Sequence, residues 1–349
     1  MSNYNPNENK KLSLDEIEEM EQEEKRAQKK KKKFNIFSGA YADGKGVDKD
    51  EVAIADNPTL ANFFKLIGRK INQILSVNIL FIFANFPIFF FFLGMSGYFS
   101  IHTTAPVYSV FAPLRGAMMF ENSAASSALW TIFSRQADIT VHTTADYVFF
   151  GIAALTIITF GLSRIGITYI LRNMFRGEPV FLLHDFFYVI KRNLRQGIIY
   201  GIIDVLITFL IVYDIVFFNL NYAASFGMSV MFFVSLCFAL IYFFMRHYIY
   251  LMLITFDLSI FKMFKNAMYF TVLGIKRNFM AFLGTIIIAM LEYFLMLVYP
   301  PLAVIMPFVI LPSLLVMIGV YAAYPKIKEI MIDPYYEQIE ADAAMEKDE

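Results

Sequence analysis

Residues 191–218 read "KRNLRQGIIYGIIDVLITFLIVYDIVFF". Three cations lead into a run of apolar residues whose only charges are Asp204 and Asp214. A helix needs about 20 apolar residues to cross roughly 30 Å of hydrocarbon, so the stretch predicts a membrane crossing over 197–218, entered from a basic side. Five further segments have the same character, near 71–94, 147–170, 227–250, 279–299 and 302–323.

Composition agrees with that assignment. Hydrophobic residues make up 58% of the chain, with 39 Phe and 20 Tyr, against 17% charged residues, which is more apolar than a soluble domain. The formal charges cancel, 30 basic against 30 acidic, but they are segregated into the ends and a few short segments. Residues 1–33 are polar, so no cleavable signal peptide is expected and the first apolar run acts as an uncleaved anchor. The one cysteine, Cys237, precludes an internal disulfide and any CxxC chemistry, and it is expected as a buried thiol in an apolar helix.

The cations orient the spans. Lys65, Arg69 and Lys70 precede the first. Arg172, Arg176, Lys191, Arg192 and Arg195 lie between the second and third, and Arg246, Lys262, Lys265, Lys276 and Arg277 between the fourth and fifth. Lys326 and Lys328 follow the sixth, and the alternate loops hold only Arg115 and Arg135. The positive-inside rule therefore predicts an all-α integral membrane protein of the cell membrane with both ends in the cytoplasm. The third and fourth spans join through "NLNYAASF", the fifth and sixth through Tyr299-Pro300-Pro301.

Three regions follow: a charged cytoplasmic segment over 1–57, a six-helix domain over 58–325, and an acidic cytoplasmic tail over 326–349, disordered beyond Pro334. Ser13-Leu14-Asp15-Glu16 has the form of a capping box, and acidic residues then give way to Lys29–Lys33, which predicts a solvated helix over about 14–33. Residues 38–57 read as linker. Before the first span, Phe63, Leu66, Ile67, Ile71 and Ile74 recur at helical spacing among cations, an amphipathic lead-in at the membrane interface. The same design precedes the third span, where Phe186, Phe187 and Ile190 are expected to dip into the headgroups beside Lys191, Arg192, Asn193 and Arg195. It precedes the fifth span too, where Lys276-Arg277-Asn278 repeats the earlier triplet. The six spans thus read as three helical hairpins built alike. Interfacial anchoring is the plain role of these cations; a docking surface for a partner is the functional one.

Asp204 lies about two turns inside the third span and Arg164 about two turns above the inner end of the second. A lone charge near the bilayer centre costs about 2.5–3.5 kcal/mol, so an Arg164–Asp204 ion pair is expected, structural or part of a conduit. Asp214 and Glu292 sit in the outer halves of their spans, within expected reach of Arg115 or Arg135. Pro87, Pro307 and Pro312 should kink or break helices whose freed carbonyls find partners on neighbours. In the outer segment 95–146, His-Thr-Thr-Ala occurs at 102–105 and again at 142–145. His102 and His142 make too small a ligand set for zinc, so no metal is expected. A short helix over 123–136, anchored by Trp130, is expected at the outer interface. No Walker phosphate loop, G-x-S-x-G elbow or H-E-x-x-H motif occurs, so neither an enzyme nor a cofactor is expected.

The run "FFKLIGRKINQILSVNILFIFANFPIF", with Asn78 and Pro87, and the segment "LRNMFRGEPVFLLHDFFYVIKRNLRQGIIYGIIDVLI" resemble the YesL-like family, integral membrane proteins of unknown function from Gram-positive bacteria. The likeness covers about residues 60–325. The long charged N-terminal segment and the 95–146 insertion depart from it, since family members usually have a tight hairpin at the latter place. The resemblance implies a link to carbohydrate uptake, because such genes often accompany sugar ABC transporters, and it carries over no ligand residues. The expected function is a non-enzymatic accessory or regulatory membrane protein that meets a sugar ABC transporter or sensor subunit through its basic loops, with the lipid bilayer as solvent and no nucleic-acid partner. The alternative is a permease subunit with Arg164, Asp204 and Glu292 near a path. Against it, residues 251–278 lack the EAA-x-x-x-G pattern by which sugar permeases meet their ATPase.

Overall fold

A computed structural model describes residues 57–106, 123–125, 128 and 136–348. The helix expected over 14–33, the Lys29–Lys33 block, most of the linker, Arg115, Trp130 and Arg135 lie outside the described residues. Of the helix expected over 123–136, only Ala124, Ala125 and Ala128 are described as helical.

The elements, in chain order, are α1 (Leu60–Ala84), α2 (Ile88–Met95), β1 (Ile101–Pro106), β2 (Gln136–Val141), α3 (Thr144–Ala153), α4 (Thr156–Arg176), α5 (Leu182–Arg192), α6 (Leu194–Leu220), α7 (Phe226–Thr255), α8 (Ile260–Leu273), α9 (Ile275–Val298), α10 (Pro300–Val309) and α11 (Leu311–Ile327). A π-helical turn, Lys328–Ile332, then leads into α12 (Asp333–Asp348). The starts follow local chemistry: Thr59, Ser225 and Ser259 accept from the backbone N–H three residues on and so cap α1, α7 and α8. At the end of α4, Gly177 takes the left-handed conformation (φ 71°) that ends helices without a Cβ clash.

Among the described residues, five segments are long and apolar enough to cross a membrane: α1, α3–α4 together, α6, α7 and α9. The pair α10–α11, bent by 55° at its break, makes a sixth. This is an all-α membrane protein. The lead-in helices before the third and fifth spans are separate elements, α5 and α8, ended at Asn193 and Gly274. The first lead-in differs, because α1 runs without a break from Leu60 to Ala84.

The centre of the bundle is a triangle of α4, α7 and α11, each packed on the other two. Around it, α6 lies against α4 and α7, and α1 against α4 and α11. Helix α9 lies on α11 and meets α7 through Phe282, whose ring contacts those of Phe243 and Phe244. Each lead-in packs on the central helix that precedes it: α5 on α4 and α8 on α7. Helix α1 closes the ring on α11, where Phe63 meets Tyr321 edge-on at 5.0 Å. The three hairpins expected from the sequence are therefore arranged as three similar sectors.

Burial is concentrated toward the basic end. Residues 248–254 of α7 and 316–324 of α11 are buried throughout, as is nearly all of 165–175 in α4. Beyond Asp204, α6 has no buried residue, and α9 has only Asn278 and Ala281. Apolar burial does not drive helices together in lipid, so close fit and polar contacts must. The crossing of α4 and α6 is the tightest. Gly161 and Gly201 meet backbone to backbone, and a Cβ on Gly201 would stand 2.7 Å from the Gly161 Cα. Gly166 leaves room for the Phe186 ring, and Gly319 for the His247 ring. Phe186 is thus a core residue at 2% exposure, whereas its neighbour Phe187, at 53%, faces outward. The expectation that both dip into headgroups is corrected: only one face of α5 looks away from the bundle.

Two of the prolines interrupt helices as expected. Pro87 lies in the break between α1 and α2, where Asn85 donates to Ser163 Oγ (2.6 Å) and accepts from Thr159 Oγ1 (3.2 Å), tying the break to α4. Pro312 has no N–H to offer the Phe308 carbonyl, and Asn78 of α1 supplies one instead (2.8 Å), while its Oδ1 accepts the Ser313 N–H (3.0 Å). Pro307 is accommodated inside α10.

Three further differences stand out. The tail expected as disordered forms α12, with Pro334 in its first turn, where a missing N–H costs nothing. The stem of the 95–146 segment is a two-stranded antiparallel sheet with His102 opposite Thr140. Cys237 is exposed, on the side of α7 turned away from its neighbours.

Candidate functional site

Within the crossing segments one group of polar residues gathers at a single level. Tyr200, Asp204 and Thr208 stand four apart on α6, and so share one face with Gly197 and Gly201. Tyr242, Arg246 and Tyr250 stand four apart on α7. The glycines bring α6 close to α4, and the two polar stripes meet.

Asp204 is fully buried (0% exposed) and its carboxylate is held from three side chains. Tyr242 donates to Oδ1 at 2.7 Å, Tyr250 to Oδ2 at 2.7 Å, and Arg246 to Oδ2 through Nη2 at 2.7 Å and Nε at 3.0 Å. The expected Arg164–Asp204 ion pair is therefore corrected: the partner is Arg246. Sequence reasoning misses it because Arg246, although within the span expected over 227–250, is counted with the orienting cations of the loop that follows. Helix α7 continues to Thr255, which sets Arg246 nine residues inside the basic end, at a depth of about 14 Å by helical rise. The apolar run "LMLITF" after Tyr250 is the available signal.

Arg164 belongs to the same cluster without being paired in it. Its guanidinium carbon lies 5.5 Å from the centre of the Tyr250 ring, a cation–π contact. Its Nε is buried without a hydrogen-bond partner. Arg246, itself 5.4 Å from the centre of the Phe160 ring, repels it across the cluster. Among the described residues, Thr208 Oγ1 and His247 Nε2 are also buried without partners, and Tyr200 Oη lies against the Tyr242 hydroxyl. Two guanidiniums against one carboxylate leave the cluster one positive charge in excess.

The other predicted carboxylates stay apart from it. Asp214 is exposed on α6, and Glu292 is half-buried in an apolar cleft of about 490 Å³ between α9 and the broken α10–α11 pair, beside Thr285, Tyr293 and Ala303. Their expected partners, Arg115 and Arg135, are outside the described residues.

At the basic end the two Lys-Arg-Asn triplets divide their labour in parallel. Arg192 donates to the Ile254 carbonyl at 2.6 Å and so caps the end of α7. Arg172 lies nearby, on Asn173 Oδ1 and Thr255 Oγ1. Arg277 reaches the Pro58 carbonyl at 3.5 Å. Asn193 donates to Val189 O (3.0 Å) and Asn278 to Thr271 O (3.0 Å), each stitching its span to the preceding lead-in helix. Asn278 also accepts from Tyr248 Oη at 2.9 Å. Lys191, Arg195 and Lys276 are exposed and make no ion pair or hydrogen bond among the described residues. The triplets are not in equivalent positions, since the first ends at the break and the second follows the break, about one helical turn later.

The two His-Thr-Thr-Ala copies come together at the far end. His102 meets Thr140 Oγ1 (3.3 Å) and the Gly97 carbonyl (3.2 Å). His142 lies 3.5 Å from Asp146, which also accepts from Ser100 Oγ (2.7 Å) and caps the α3 N-terminus through the Thr143 N–H (2.9 Å). No cluster of three His, Cys, Asp or Glu suited to a metal occurs among the described residues. His184 pairs with Asp185 at 3.2 Å and stacks on Tyr188. Comparison with known proteins returns no match to a family model, a curated protein or a solved structure, so the site stands on its geometry alone.

Proposed function

We propose that the chain is a non-enzymatic accessory or regulatory membrane protein of the cell membrane, with both ends in the cytoplasm, that docks on a transporter or sensor subunit through its basic end. The observation that carries this is the trio Lys191, Arg195 and Lys276, exposed and unpartnered beside cations that are already committed to structure. A cation that caps a helix is not available to a partner, and these three are. The YesL-like resemblance supports a partner in carbohydrate uptake.

The permease alternative needs a continuous wet path past Arg164, Asp204 and Glu292. The enclosure of Asp204 and the unbroken burial of 248–254 and 316–324 favour the accessory role. The test is in-membrane crosslinking of the tagged full-length protein with mass spectrometry, comparing wild type with the triple variant Lys191→Gln, Arg195→Gln, Lys276→Gln. A transporter or sensor subunit captured by wild type should be lost in the variant at equal membrane insertion. Undiminished capture by the variant, or only lipids and self-links in wild type, refutes the docking face.

A further inference from the structure

We propose that the Arg164 cluster is a binding site for an oxyanion, a phosphate or phosphate-like group, inside the membrane-spanning bundle. Arg246 and Asp204 satisfy each other in a buried pair. Arg164 has no carboxylate, and its Nε–H points at no acceptor among the described residues. A guanidinium at this depth is costly to insert unless something neutralises it, and a planar fork of N–H donors is the group best matched to a phosphate oxygen pair. The hydroxyl of Thr208, one turn from Asp204 on the same face of α6, is likewise buried without a partner among the described residues, and that of Tyr200, one turn to the other side, lies against the Tyr242 hydroxyl. Tyr200 has no exposure at all. An unmatched guanidinium N–H beside a surplus positive charge, on a face that also carries an unmatched hydroxyl, describes the complement of an oxyanion. The Asp204 carboxylate does not repel the ligand as a free anion would, because Arg246 and two tyrosines hold its charge.

The site is reachable. Arg246 is 19% exposed and Arg164 and His247 are half-buried. Toward the basic end, Ile167, Ile170, Ile249 and Met252 have no exposure, so the anion arrives from the opposite half of the bundle or from the side. A lipid headgroup and a free phosphate ion offer the same oxygens to Arg164. This site is separate from the basic docking face and does not depend on it.

The test uses purified full-length protein in a neutral detergent, titrated with inorganic phosphate in one arm and with phosphatidylglycerol in the other, phosphatidylcholine serving as the neutral-lipid control. The readout is the thermal unfolding midpoint, together with native mass spectrometry for bound lipid. A saturable rise in the midpoint with either anion, absent in Arg164→Met and kept in the Lys191→Gln, Arg195→Gln, Lys276→Gln variant, supports the site. Response to phosphate alone identifies a solute; response to phosphatidylglycerol alone identifies a headgroup. Without anion, Arg164→Met should melt at or above the wild-type temperature, because the substitution removes an unpaired, half-buried charge. Arg164→Lys, which keeps the charge but loses the fork, should weaken binding at least tenfold. No anion response in wild type, an equal response in Arg164→Met, or an Arg164→Met protein that melts well below wild type overturns the proposal.

Discussion

Asp204 and Arg164 show how differently two charges on neighbouring helices can be treated. Removing one partner of a buried ion pair leaves the other uncompensated, at a cost of about 3–5 kcal/mol. Asp204→Ala should therefore lower stability by that order, and Asp204→Leu combined with Arg246→Met should recover most of it, as urea or thermal unfolding in detergent would register. Equal loss in the single and double variants would mean that the cage acts by packing and not by charge. That Asp204 needs a cation was legible from its depth in an apolar run. Which cation was not: Arg246 is followed by residues that read equally well as the end of a span or the start of a loop, and only the burial of 248–254 decides between them. Phe186 and Cys237 were misread for a related reason. Hydropathy marks a residue or a helix face as apolar but does not say whether it meets protein or lipid.

Helices were the most legible level, since length and apolar content alone located every span but the first, which was expected over 71–94 but lies over Leu60–Ala84 and stops short of Pro87. What holds them together was less so. Asn78 reads as an ordinary polar residue in "LSVNILF", yet it repairs the break at Pro312 from another helix, 230 residues away from the carbonyl it bonds. Asn78→Leu should orphan the Phe308 C=O and the Ser313 N–H, each worth about 1–3 kcal/mol when buried. Adding Pro312→Ala returns an N–H to the helix and should regain part of that loss; a double variant no more stable than Asn78→Leu would show that the α10–α11 bend is fixed by other contacts. Gly201 carries the corresponding burden for α4 and α6. Gly201→Leu should force the two backbones apart and disturb the Asp204 cage with them, lowering the unfolding midpoint more than the same change at Gly68, whose Cβ position is open. The prolines announced the breaks, but only the fold reveals what each break is tied to.

At the scale of the molecule, the sequence pattern supported three hairpins with basic entries, and the triplet repeat was the one visible trace of their likeness. That trace proves misleading in register, because the two copies sit on different sides of their breaks. The likeness that matters lies in how lead-in helices seat on the preceding central helix, which no residue-by-residue match would expose. Because α1 seats on α11 as α5 does on α4, with Tyr321 Oη donating to the Thr59 carbonyl at 2.6 Å, the sectors form a closed round with no first member. The peptide between Arg176 and Leu182 joins two sectors at the basic end, on the same side as the start of α1. A chain cut there and rejoined through its original ends would keep every helix direction and every sector boundary. Such a circular permutant should insert and give the unfolding profile of the parent protein, for in this bundle the order of synthesis is a matter of covalent bookkeeping and the contacts recognise only who sits next to whom.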